Sequence, residues 1–200
     1  MSDIKFSVVI PLYNKQQSIV NTILSVFKQS YQNFEIVIID DGSTDSSVDA
    51  VKSISDERIR LIHQENQGVS AARNRGIKEA SYEWIAFLDG DDLWESNHLE
   101  EIVKMMKVFP EHKVYVTSFE YSDKRKMFKH ERSSPIFKID NYFKEVIKEN
   151  LLWTSIIVIE KSCFSLVGLF NTSLNNGEDI ELWCRLAEKF NIIKSTKITA

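Results

Sequence analysis

Short apolar runs alternate with amphipathic stretches over the first half of the chain. Residues 6–10, 36–39 and 85–88 are nearly continuous apolar runs, and 58–63 is a weaker, partly alternating one. Strands covered by helices on both faces read this way. Between them, Val20, Ile23, Leu24 and Phe27 fall at i, i+3, i+4 and i+7, which predicts a helix with that stripe inward. Leu99, Ile102, Val103 and Met106 repeat the spacing after the third clear run. The order β-α-β-α-β-α-β-α predicts an open parallel sheet with right-handed crossovers, and hence an α/β fold.

The second half is less regular. Residues 113–121 and 153–159 read as strands, 141–148 as a helix, and 191–197 as a final strand. A helix is predicted over 179–189, with Ile180, Trp183 and Ala187 inward. Residues 123–135 are polar and rich in Lys and Arg, the pattern of a solvated loop or hairpin, or of a loop facing an acceptor or membrane. No repeat or linker divides the chain, so one domain over 1–200 is expected.

Composition narrows the class. The chain has 200 residues, 43% hydrophobic and 27% charged, with a formal charge of −4. That is an ordinary globular balance, and its acidic sign argues against a nucleic-acid partner. Cys163 and Cys184 lack zinc spacing and are too few for a disulfide framework, which points to a reducing cytosol. The N-terminus lacks a signal-peptide pattern, and the apolar stretch 151–170 is broken by Glu160 and Lys161. His63, His98, His112 and His130 show no ligand spacing and are expected at the surface.

In open α/β sheets ligands bind beyond the carboxyl ends of the strands. Pro11, Tyr13 and Asn14 follow the first run; Asp40-Asp41-Gly42-Ser43-Thr44-Asp45 follows the second; Asp89-Gly90-Asp91-Asp92 follows the fourth. Carboxylates from separate strands therefore meet on one rim. Asp89 and Asp91 suit a hard cation such as Mg²⁺ or Mn²⁺, with Gly90 allowing close backbone approach; an acidic turn capping a helix near Glu95 is the alternative. One acid of the Asp40-Asp41 pair could bind a base imide or a ribose hydroxyl, or the segment could be a turn with Ser43 or Thr44 as a helix cap. Arg73 and Arg75 stand near a helix start and could reach a diphosphate or form surface ion pairs. Glu178-Asp179 could cap a helix or supply a general base.

Five segments carry a resemblance when taken in order. They are Phe6-Ser-Val-Val-Ile-Pro-Leu-Tyr-Asn14, Ile38-Ile-Asp-Asp-Gly-Ser-Thr-Asp45, Asn66-Gln-Gly-Val-Ser-Ala-Ala-Arg-Asn74, Phe87-Leu-Asp-Gly-Asp-Asp92 and Gly177-Glu-Asp179. From about Lys5 to Thr199 the chain resembles the GT-A domain of family 2 glycosyltransferases. The resemblance implies a three-layer α/β/α, Rossmann-like domain with a mostly parallel central sheet. Its nucleotide-binding half would be 1–110 and its acceptor-side half 111–200. It implies an inverting, metal-dependent hexosyltransferase using Mn²⁺ or Mg²⁺. The donor would be a nucleotide-diphosphate sugar, with UDP favoured by family habit. The acceptor would be a saccharide or lipid-linked saccharide, in cell-surface polysaccharide assembly in the cytoplasm or at the inner membrane face.

Carried over residue by residue, Pro11 and Tyr13 would lie beside the nucleotide. Asp41 would bind the base with Asp40 next to it, and Arg73 would sit in the nucleotide-side loop. Asp89 and Gly90 would face the donor, Asp89 and Asp91 the metal. Asp179 would be the base, with Glu178 beside it. The Gln-x-x-Arg-Trp motif of processive members is absent, and the chain stops soon after its last predicted strand. A C-terminal truncation is therefore expected, with membrane contact through the missing part. Two other readings compete. A haloacid-dehalogenase-type phosphatase also carries Asp-x-Asp after a strand, but near the start of the chain. A non-catalytic module would bind nucleotide without transferring sugar.

Overall fold

The structure, a computed structural model, describes residues 3–122, 134–148 and 151–200. The described strands are β1 (Phe6–Leu12), β2 (Phe34–Asp40), β3 (Ile59–His63), β4 (Trp84–Phe87), β5 (Val114–Ser118), β6 (Ile136–Lys138), β7 (Ile157–Glu160) and β8 (Ile192–Ile198). They form one sheet in the order β3-β2-β1-β4-β7-β5-β8-β6. The first four are parallel, as is β5 on β8, whereas β7 runs antiparallel to β4 and β5, and β6 to β8.

Alternation along β1 and β2 builds the three layers, because successive side chains leave a strand on opposite faces. Val8, Ile10, Ile36 and Ile38 pack with Ile23 of α1 (Ile19–Phe27), Val51 of α2 (Ser47–Lys52) and Leu99 and Ile102 of α4 (His98–Val108). Val9, Val37 and Ile39 pack on the other face. There they meet Ala72 and Ile77 of α3 (Val69–Glu79), Phe164 of α6 (Cys163–Val167) and Trp183 of α7 (Glu178–Lys189). A short helix, α5 (Tyr142–Glu145), follows β6. Gly76 permits the approach of α3 to β1: an added Cβ would lie 2.2 Å from Val9 Cγ1. That approach sets the height of Arg73, one turn earlier on α3.

Several expectations are corrected by packing. The inward stripe of α1 is Ile19, Ile23 and Val26; Val20 is half-buried and Leu24 exposed, a rotation of about one residue. On α7 the sheet takes Leu182, Trp183 and Leu186, while Ile180 is 59% exposed and turns outward. Residues 153–156 are irregular or 3₁₀, so β7 begins only at Ile157. Of the polar stretch 123–135, residues 134 and 135 lead into β6, while residues 123–133, including His130, lie outside the described residues.

His98 is not at the surface but fully buried. Its ring stacks on Trp94 at 4.1 Å between centroids, and Nδ1 pairs with the Thr199 hydroxyl at 2.7 Å. Burial lowers its pKa to about 3 from an ordinary value of 6.5. As pH falls below about 6.5 the unfolded chain takes up a proton that the folded chain refuses down to about 3, so stability is lost across that window. Urea unfolding at stepped pH is expected to show this slope, and H98Q to flatten it; an unchanged slope in H98Q would contradict the assignment. Gly76→Val is expected to cost about 2–3 kcal/mol by overpacking, with part of the loss recovered when Val9→Ala is added; purely additive losses would refute the close contact.

Candidate active site

Strand order reverses between β1 and β4, where α/β sheets open a crevice. A cleft of about 510 Å³ lies there, lined by Pro11 and Tyr13 after β1, Asp41 after β2, Arg73 of α3, and Asp89, Gly90 and Asp91 after β4. Seven of the sequence-predicted residues thus share one wall. Asp40, Glu178 and Asp179 are outside that lining.

The backbone explains why these residue types stand here. Pro11 costs no ladder bond on the β4 side, because the pairing of β1 with β4 ends at Val9 and Phe87. The loop after β4 then turns back against β1, and an added Cβ on Gly90 would lie 3.2 Å from the Pro11 carbonyl oxygen. The Ser18 hydroxyl donates to the Gly90 carbonyl at 2.8 Å and fixes the turn. Asn14, at φ 52°, is left-handed. Its side-chain oxygen accepts from the Thr44 amide at 2.8 Å, and its own amide donates to the Ser43 hydroxyl at 3.1 Å. Ser43 and Thr44 therefore tie two loops together instead of capping α2, whose N-terminal flank is Ser46.

The Asp40-Asp41 pair divides its work. Asp41 is 3% exposed and accepts from the Gln64 side chain at 2.7 Å and the amides of Gln67 and Gly68 at 2.9 and 2.8 Å. It pins the 64–68 segment to the cleft rim. Asp40 points away from the cleft, towards the Ser43 amide at 3.1 Å and His63 Nδ1 at 3.0 Å.

Arg73 is the centre of the charge arrangement. It is 4% exposed and lies over the Phe170 ring. One guanidinium nitrogen donates to Asp89 at 2.7 Å and the other to Glu178 at 2.9 Å. Burial pulls its pKa down, but Asp89 and Glu178 outweigh it and the net shift is upward. Arg75, two residues on, instead makes an exposed pair with Glu79 at 2.7 Å. Arg75 thus makes the expected surface pair, whereas Arg73 makes a buried one with Asp89 and Glu178.

The remaining acids keep distinct partners. Lys15 Nζ holds one Asp91 oxygen at 2.5 Å. Asp92 accepts from the Ser155 hydroxyl at 2.5 Å. Burial pushes the Asp92 carboxyl up, Ser155 pulls it back, and Asp89 and Asp91 add to the rise. Asp179 accepts only from the Ile180 amide at 2.7 Å and has no ion pair among the described residues. It lies near enough to Tyr142 to add, after burial and Cys184, to the upward shift of that hydroxyl. Glu178 and Asp179 also occupy the first turn of α7, where acids suit the helix dipole.

Among the described residues no three His, Cys, Asp or Glu form a ready ligand set. Asp89 and Asp91 nonetheless each keep one carboxylate oxygen without a protein donor. Two hard oxygens beside a cleft fit a cation that also takes substrate phosphates. Lys15 and Ser155 were not singled out in the sequence, since a lone Lys in a loop and a lone Ser in a strand-like run give no signal until the fold pairs them with acids.

The Glycosyl transferase family 2 model matches residues 7–167. An uncharacterized glycosyltransferase of Rickettsia felis is 36% identical over 198 residues, covering 96% of this chain and 32% of that protein. The Escherichia coli UDP-Glc:alpha-D-GlcNAc-diphosphoundecaprenol beta-1,3-glucosyltransferase WfgD is 43% identical over 107 residues, covering 53% of this chain and 42% of that one. Among solved structures, S. aureus TarS 1–349 in complex with UDP-GlcNAc aligns with a TM-score of 0.84 at 20% identity, over 98% of this chain and 57% of that one. The mannosyltransferase PcManGT from Pyrobaculum calidifontis, in complex with GDP-Man and Mn2+, aligns with a TM-score of 0.74 at 17% identity, over 99% and 57%. These two are likenesses of fold. The chain spans about a third of the length of the curated relatives it matches nearly end to end.

Removing the guanidinium leaves two carboxylates facing each other in a half-buried space. Arg73→Met is expected to cost about 3 kcal/mol in urea unfolding, and Arg75→Met less than about 0.5 kcal/mol. Equal losses would contradict the bridging role of Arg73.

Proposed function

Because the chain belongs to the family 2 glycosyltransferases, we propose that its cleft holds the nucleoside diphosphate of an activated sugar and that the protein transfers the sugar, a hexose, to an acceptor hydroxyl with inversion. The observation that carries this reading is the single cleft bounded by Asp41, Asp89 and Asp91, with Arg73 joining it to Glu178. Its volume of about 510 Å³ suits a small-molecule site. UDP is the favoured nucleotide, since UDP or a UDP-sugar is named for WfgD and for the TarS complex.

Tyr13, half exposed on the wall, offers its ring to the base beside Pro11. Asp41 orders the 64–68 rim and takes a base or ribose donor, with Asp40 bracing the same loops from behind. Gly90 lets the diphosphate approach the backbone, and Arg73 adds positive charge nearby. Asp91 and Asp89 would hold Mg²⁺ or Mn²⁺, which when bound offsets charge growing on the leaving diphosphate.

Of the acidic pair, Glu178 is ion-paired with Arg73 while Asp179 has no ion pair among the described residues, so Asp179 is the base. It takes the proton of the acceptor hydroxyl. The freed oxygen attacks the anomeric carbon from the face opposite the diphosphate. The bond to the diphosphate breaks, and its electron pair leaves with the nucleotide. The acceptor is a saccharide or lipid-linked saccharide, the kind of molecule named for WfgD, and the setting is surface-polysaccharide assembly at the inner membrane face. Among the described residues no helix is long and apolar enough to cross a membrane.

Calorimetric titration of UDP, GDP and TDP, with and without Mn²⁺, tests the donor site. UDP is expected to bind, more tightly with the metal, and Asp91→Asn to remove the metal's effect. Binding of none of the three, or a metal effect that survives in Asp91→Asn, would contradict the reading. Asp179→Asn is expected to keep UDP binding and lower transfer by about 10²–10⁴-fold. Full transfer by Asp179→Asn would refute the base, and nucleotide binding with neither transfer nor hydrolysis of UDP-sugars would favour a non-catalytic module.

A further inference from the structure

A second cleft, of about 330 Å³, opens beside the first, and Asp91 lines both. Its wall is aromatic. Trp153 stacks on Phe119 with centroids 5.3 Å apart and planes 26° apart, and Tyr121 meets Trp153 edge-on at 6.2 Å. Phe119 is buried, whereas Trp153 keeps 37% of its surface exposed. The indole N–H donates to Asp92 at 3.4 Å, which adds a second restraint on the ring. The result is a supported platform with an accessible surface in the cleft.

The rim has the opposite chemistry. Asp92, Glu95 and Glu120 line the cleft, and the Glu95 and Glu120 carboxylates have no donor among the described residues. Ionised carboxylates only accept hydrogen bonds. Among the described residues no Lys or Arg lines this cleft. A fitting ligand therefore presents a C–H face to an aromatic ring, donates hydrogen bonds around its edge and carries no negative charge. A neutral pyranose has all three properties, because its axial C–H groups make its ring faces apolar and its equatorial hydroxyls project from the rim. The aromatic face is the negative pole of the ring quadrupole and attracts such C–H groups.

We infer that the Trp153 cleft is a binding subsite for a neutral hexopyranose, namely the acceptor saccharide, held on the Trp153–Phe119 stack by hydrogen bonds to Asp92, Glu95 and Glu120. The acceptor role rests on the transferase reading above. The wall shared through Asp91 puts the saccharide next to the donor cleft and outside the nucleotide's own walls. The acidic rim selects neutral sugars over uronic acids and sugar phosphates.

Saturation-transfer NMR with methyl β-D-glucopyranoside and methyl β-D-glucuronide, recorded with and without UDP, tests the subsite. The glucoside is expected to show transfer to its ring C–H protons, and the glucuronide little. Trp153→Ala is expected to weaken glucoside binding by about tenfold, Trp153→Phe to restore much of it, and both to leave UDP and UDP-glucose affinity within about twofold. Glu120→Lys, at an exposed position, is expected to shift preference toward the glucuronide without relying on the aromatic change. Three results would overturn the inference: glucoside binding indifferent to Trp153, equal binding of the glucuronide, or displacement of the glucoside by UDP. Weaker UDP-glucose binding in Trp153→Ala would overturn the acceptor role and assign the platform to the donor sugar. Loss of UDP binding by the unsubstituted protein is the separate failure that sinks the transferase reading itself.

Discussion

The arrangement of the site depends on one buried cation. Arg73 is almost fully removed from water, a placement that is unfavourable for a guanidinium unless its charge and its donors are met. Asp89 and Glu178 meet the charge and the two terminal nitrogens from two different elements, the loop after β4 and the first turn of α7, while the buried Nε has no partner among the described residues. A planar fork can hold two carboxylates in fixed directions, which a Lys ammonium cannot do as well. The same bridge lets two acids face each other at neutral pH and joins the nucleotide side of the sheet to the side that begins α7. Its own position is inherited from packing, since α3 lies close on β1 only because Gly76 stands over Val9.

Around that bridge, each loop is restrained by a neighbour as well as by its own turn. Asn14 fastens the exit of β1 to the exit of β2, Asp41 fastens the 64–68 segment, and Ser155 holds Asp92. Sites held in this way keep their geometry because the supporting side chains are themselves fixed. The acids divide accordingly. Asp40 has both oxygens matched by protein partners and Glu178 is ion-paired with Arg73; Asp41 keeps acceptor capacity on Oδ2, and Asp89, Asp91 and Asp179 each keep an oxygen without a protein donor.

Much of this was legible in the sequence where periodicity and strand ends carry the signal. The runs 6–10, 36–39 and 85–88 became β1, β2 and β4, and the acids after them became the rim of the cleft. The stripe Leu99, Ile102, Val103 and Met106 is buried as expected. What failed was decided by tertiary contact. Ile180 is apolar but falls on the outward side of α7, because the sheet accepts Leu182, Trp183 and Leu186. His98 gave no sign of its burial, since its pairing with Thr199 joins segments a hundred residues apart. The antiparallel β7 between β4 and β5 could not be read from a run of apolar residues, which looks alike in either direction. At the site, the identity of the acids was legible, but their partners were not. Arg73 was visible as a basic residue near a helix start; its bridging of Asp89 and Glu178 exists only in three dimensions.

The most direct test of the central claim is a crystal structure grown with UDP and Mn²⁺. The account expects the uracil beside Tyr13 and Asp41, the diphosphate beside Gly90, the metal on Asp91, and the Arg73 bridge to Asp89 and Glu178 intact. Nucleotide bound elsewhere on the protein, or a bound nucleotide with Asp89 and Asp91 turned away from it, would contradict the account.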